Sequence, residues 1–143
     1  MDFVSWLLAL IGIAGDRAMH RSDRRAEIAK LNAEVASEAG RALDIITAAM
    51  PRLTRRCAQV CGDSPEMCDS MVKVLNDQRD AALKIMAMAE DYKKQIANAK
   101  GLVDWDKTLH HFQEWRATAS RMTPWVEDIV NRYDAILYDA GAR

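Results

Sequence analysis

Asp106, His110 and Glu114 stand four residues apart, with His111 beside them. On a helix one face would therefore hold a carboxylate, an imidazole and a second carboxylate, a set that can bind a transition metal or move a proton. The surrounding sequence argues against both. A metal site in a helical bundle gathers ligands from several facing helices, often as Glu-x-x-His pairs, and neither long helical segment of this chain offers one. Solvated pairing between neighbouring helical turns accounts for these residues, so no metal and no cofactor are expected.

Cys57, Cys61 and Cys68 form the second group, an odd number within twelve positions. Packing as small thiols at the end of a hairpin is one reading. A disulfide between Cys57 and Cys68 is another, since a turn at Gly62–Ser64 would bring Cys68 back opposite Cys57, and an exported protein would keep such a bond. A zinc site is the weakest, because a closed site wants four ligands and no histidine lies nearby. Arg55 and Arg56 could favour a reactive thiolate, but no base stands close to them. The chain also lacks a Gly-x-Ser-x-Gly turn, a phosphate-binding loop, a dinucleotide-binding glycine pattern and a His-Glu-x-x-His helix. No catalytic residue is assigned, a non-enzymatic role is expected, and no small-molecule substrate is evident.

Arg41, Arg52, Arg55 and Arg56 make a basic patch on the same segment. Asp63, Glu66 and Asp69 follow across the turn, and the whole chain carries a formal net charge of −1. Neither a local nor a global field favours nucleic acid, and a solvated face is expected. Trp105, Trp115, Trp125, Tyr133 and Tyr138 concentrate the aromatics near the end of the chain, mostly as core anchors. Trp115 lies between Glu114 and Arg116 and is the expected partner surface.

These side chains must be carried by helices. Alanine and methionine are abundant, there are only 6 glycines and 3 prolines, and β-branched residues never alternate over a strand's length. Ile28, Leu31, Val35, Ala39, Ala42, Ile46, Ala49, Leu53, Cys57 and Val60 step by threes and fours along one helix from Asp16 to Cys61. Pro51 is expected to kink this helix or break it in two. Ser64-Pro65-Glu66 is a helix start and Gly101 a stop. The stripe between them reads Met67, Met71, Val74, Gln78, Ala81, Ile85, Met88, Tyr92, Ile96 and Ala99, with Gln78 either a buried register residue or an edge. Asp104 can cap a third helix carrying Trp105, Leu109, Phe112, Ala119 and Met122. Thr123-Pro124 opens a fourth, with Val126, Ile129, Val130, Tyr133, Ile136 and Leu137 facing inward. The expected fold is all-α: an elongated antiparallel bundle of two long helices and two shorter C-terminal ones, preceded by a short hydrophobic N-terminal helix.

That first helix, within residues 1–15, is the feature most telling for function, with the bundle domain following at 16–143. Residues 3–15 are 13 positions without charge, a rise of about 20 Å as a helix, against the roughly 30 Å of a bilayer's hydrocarbon. Three readings compete. In the first, Phe3, Trp6, Leu7, Leu10 and Ile11 enter lipid, as an interfacial or a short transmembrane helix, or meet another copy in an oligomer. Arg17, Arg21 and Arg24 then meet anionic headgroups or a partner. In the second, the segment is an ordinary buried helix. In the third, it is an export signal, although its leading charge is Asp2. The expected function is a non-enzymatic, membrane-associated accessory or adaptor protein that acts through helix-face contacts with a protein partner or with its own copies. Its bulk is expected to be cytoplasmic by the positive-inside rule. The alternative is a soluble helical inhibitor, of the immunity or phage-encoded antagonist type, with its apolar N-terminus buried in a dimer; soluble cytoplasmic and exported locations go with the other readings.

Overall fold

A helix with an apolar seam needs a partner, and the two long segments supply one another. The computed structural model of the chain describes residues 18–99 and 104–142. Helix α1 is Ala18–Val60, α2 is Pro65–Asn98, α3 is Trp105–Ala119 and α4 is Met122–Gly141, with no strand among the described residues. The protein is an all-α bundle. α1 and α2 are antiparallel about a tight turn in which the Ser64 amide donates to the Cys61 carbonyl at 2.9 Å. α3 and α4 lie end to end along α1, and α1 makes the main contact with each of the other three helices.

From Ile28 to Leu53 the buried positions of α1 are Ile28, Asn32, Val35, Ala39, Ala42, Ile46, Ala49 and Leu53. They alternate steps of four and three, the 3.5-residue period of coiled-coil pairing. α2 answers with Met71, Leu75, Ala82, Ala89 and Ile96. Two clusters result. At the hairpin end Ile46, Leu53, Met71 and Leu75 pack with Val126, Val130 and Leu137 of α4. At the open end Ile28, Tyr92 and Ile96 pack with Trp105, Leu109 and Phe112 of α3. Each fully buried aliphatic side chain contributes about 1.5–3 kcal/mol, whereas an exposed ion pair adds less than about 1 kcal/mol. The seam therefore holds the fold.

Several expectations are corrected here. α1 runs through Pro51 as one helix. Pro51 and Thr47 are both exposed, so the carbonyl left without its amide is on the wet side and interrupts no packing. On α1 the seam takes Asn32 rather than Leu31, which is half-buried. On α2 it takes Leu75, Ala82 and Ala89 instead of Val74, Ala81 and Met88. Both members of each pair are apolar, and the alanines admit a closer approach to α1. Met88 turns instead toward the aromatic cluster. Gln78 is half-buried and lies at the seam's edge. Ser64 sits at the N-cap of α2 but makes no side-chain capping bond, and α2 ends at Asn98 before Gly101 is reached. Asp104 caps α3 as expected, accepting from the Lys107 amide at 3.1 Å. α4 starts at Met122 with Arg121 as N-cap, and the Thr123 hydroxyl bonds instead to Glu38 of α1. Ile136 of α4 faces outward, 45% exposed.

The one-residue choice on α2 is testable by denaturant unfolding. Leu75→Ala should cost about 2–5 kcal/mol by leaving a cavity, and Val74→Ala about 1 kcal/mol or less. A larger loss for Val74→Ala would return the seam to Val74.

Candidate functional site

The carboxylate and imidazole set on α3 does not converge. Asp106 is drawn sideways to α1, where the Arg24 Nε lies 2.9 Å from its carboxylate. His110 Nε2 is 3.0 Å and His111 Nδ1 3.9 Å from opposite oxygens of Glu114, all on the exposed side of one helix. Among the described residues no group of three or more His, Cys, Asp or Glu is placed to hold a metal ion.

Cys57 and Cys68 are joined by a disulfide across the hairpin turn, with Cα atoms 5.9 Å apart, and Cys61 remains a buried thiol. Cys57 belongs to the α1 seam and Cys68 to the first turns of α2, so the bond fastens the two long helices where they join. The basic patch next to it is not neutralised across the turn as its sequence suggests. Arg52 instead makes a two-pronged pair with Asp134 of α4. That hydrogen bond raises the Arg52 pKa above its ordinary value, so the guanidinium stays charged. Arg41 pairs with Glu38 along α1 at 3.3 Å, and Arg55 and Arg56 are exposed.

Trp115, expected as a partner surface, is half-buried in an edge-to-face trio, its ring 5.1 Å from Tyr92 and 5.8 Å from Phe112. Two aromatics expected as core anchors are left at the surface, Tyr138 at 73% exposed and, on the side facing α2, Trp125 at 55%. It borders a hollow of about 570 Å³ whose walls include Gln78 and Met122. Sequence spacing alone cannot separate these two tryptophans, because each stands next to an acidic residue or a helix start and only packing decides which is covered.

Arg24, expected at a lipid or partner surface, also reaches Glu27 at 3.3 Å, so two carboxylates compete for it. Its neighbour Arg25 closes the open end of the bundle. There Nη2 donates to the Ala99 carbonyl at 2.8 Å, placing a cation at the C-terminal end of α2, and the guanidinium stacks 5.1 Å from the Trp105 ring centroid. Phe3, Trp6, Leu7, Leu10, Ile11 and Arg17, and the side chain of Arg21, lie outside the described residues.

One concavity was not anticipated from the sequence. A groove of about 670 Å³ runs between α1 and α2 at the open end. Its α1 wall includes Ala26, Ala29, Ala33 and Ala36, spaced by three and four, its α2 wall includes Met86, and Arg25, Glu90 and Lys93 add charge to the lining. Asn32 lines it while only 4% exposed. Its Nδ2 donates to the Ala89 carbonyl at 2.8 Å, which fixes the amide's orientation, and its Oδ1 has no hydrogen-bond partner among the described residues. The alanine periodicity is visible in the sequence, but alanine is so common in exposed helix that it does not announce a wall. No protein family profile matches the chain, and no curated protein or solved structure shows significant similarity to it.

The hairpin-end bond has a measurable consequence. For a loop this short the chain-entropy relation gives about 3 kcal/mol. Reductant, or Cys68→Ser, should lower the unfolding free energy by that amount, while Cys61→Ser should leave the covalent link intact by mass. Unfolding midpoints that ignore reductant would show that Cys57 and Cys68 pack as thiols.

Proposed function

We propose that the protein is a non-enzymatic, membrane-associated adaptor, held at a lipid surface by residues 3–15 and offering helix faces to a protein partner. One observation carries this reading. Helices α1–α4 build two core clusters, and the chain carries 13 uncharged residues ahead of them. Such a run gains most by entering the interfacial region of a bilayer. Its rise of about 20 Å suits an interfacial or thinned-bilayer placement better than a perpendicular span. None of the described helices is long and apolar enough to cross a membrane, so any anchoring falls to this run. Arg17 and Arg21 follow it directly and can meet anionic headgroups. Arg24, bound to Asp106 and Glu27, contributes less.

The partner face we favour is the outer row of α4. Trp125 and Ile136 share it, with the Arg132–Asp128 ion pair (2.8 Å) between them. A large aromatic beside a hollow, bordered by charge, is the usual composition of an interface anchor. The Cys57–Cys68 bond bears on location, since disulfides persist in oxidising compartments. Thiol trapping during cell lysis decides between a bundle on that side and a cytoplasmic one.

Flotation with phosphatidylcholine–phosphatidylglycerol vesicles tests the anchor. The full chain should rise with the vesicles, and the double variant Leu7→Lys, Leu10→Lys should stay at the bottom with unchanged helical content. A full chain that stays at the bottom as a defined dimer favours the soluble antagonist reading instead.

A further inference from the structure

We propose that the α1–α2 groove is a docking site for residues 3–15 of this same chain, which lie in it as a fifth helix antiparallel to α1 whenever the chain is off a membrane. The inference does not depend on lipid binding: a segment that never meets lipid would occupy the groove permanently.

The groove and the segment match in extent, chemistry and tether. The groove's α1 wall runs from Ser22 to Ala36, about 21 Å of helix, and residues 3–15 rise about 20 Å. Only Asp16 and Arg17 separate Gly15 from Ala18, where α1 begins. Gly15 suits a helix stop, and a short connection of this length joins antiparallel neighbouring helices. The fold-back therefore lands at the end of α1 where the groove lies.

The segment's own faces select the orientation. At helical spacing Phe3, Trp6, Leu7, Leu10 and Ile11 fall on one side, and Ser5, Ala9 and Gly12 on the other. Walls built of alanine leave room for the large side chains, which would enter as knobs between Ala26, Ala29, Ala33 and Ala36. Docking in this sense turns Ser5, Ala9 and Gly12 toward water. It also removes Phe3, Trp6, Leu7, Leu10 and Ile11 from solvent and leaves Leu8 toward the outer face.

Asn32 supplies the second, independent pointer. A buried amide oxygen without a donor asks for one from whatever fills the groove. Trp6 is the sole hydrogen-bonding side chain on the large face. In the antiparallel arrangement it lies about one turn short of Asn32 along α1, and a long helical side chain leans toward its own helix's N-terminus. The indole N–H of Trp6 is thereby directed at the Asn32 Oδ1.

Hydrogen exchange read by mass spectrometry on the full chain in lipid-free buffer tests the docking. An isolated 13-residue helix is marginal in water and protects its amides little, so slow exchange reports docking. Residues 4–14 should exchange at least about 100-fold slower than unstructured chain. The double variant Ala29→Glu, Ala33→Glu, at positions exposed in the bundle itself, should abolish that protection while the amides of residues 46–57 exchange as before. Fast exchange of residues 4–14 in the parent chain, or protection indifferent to the two glutamates, overturns the proposal. Protection that falls on dilution assigns the groove to the segment of a second copy and overturns docking within one chain. None of these outcomes decides the flotation result, so the docking and the lipid anchor fail separately.

Discussion

The structure depends on α1 being one uninterrupted helix with more than one usable face. Its 43 residues extend about 65 Å, and α2, α3 and α4 are each held chiefly to it rather than to one another. A break at Pro51 would separate the seam positions Ala49 and Leu53 and split the hairpin-end cluster. The break is avoided because the proline ring and the carbonyl it leaves without an amide are on the solvent side. The seam's small residues, Ala39, Ala42 and Ala49 on α1 and Ala82 and Ala89 on α2, permit close approach of the two long helices. Larger residues such as Met88 are displaced to the flanks, where they meet α3.

Polar contacts set the alignment of this frame more than its stability. Asn32 ties α1 to the Ala89 carbonyl within an otherwise apolar seam, the role a buried amide has in fixing the register of paired helices. Along the other side, Arg24–Asp106, Glu34–Arg116 and Arg52–Asp134 join residues 82 apart in sequence. α3 and α4 therefore follow α1 as a single parallel rail with one offset, although a turn at Ser120–Arg121 divides them. These pairs are exposed and individually weak. Their common spacing makes any slip of the rail lose all of them together.

The two ends of the bundle are built for different purposes. At the hairpin end a disulfide and the Arg52 pair hold α1, α2 and α4 together around aliphatic side chains. At the open end the packing is aromatic, Arg25 covers the last carbonyls of α2, and the alanine groove is exposed. The apolar run joins α1 at this open end.

The number, order and approximate limits of the four helices were legible in the residues, since 3.5-residue periodicity and caps such as Asp104 are local properties of the chain. The Cys57–Cys68 pairing was one of several open readings, and its geometry followed from the turn. What the sequence could not decide were choices between rival positions: Leu31 or Asn32, Val74 or Leu75, Trp115 or Trp125. Each such pair is separated by a single residue or by one helix's rotation, and which member is covered depends on what the opposing helix presents. The groove belongs to the same class, because four alanines become a wall only when α2 stands beside them. The sequence by itself determined which segments are helical and that an uncharged run precedes them, for these are set by backbone propensity and side-chain transfer from water. The tertiary structure alone decided which faces are buried, which charges are taken and where a cavity remains, because those follow from the relative rotation and offset of helices distant in the chain.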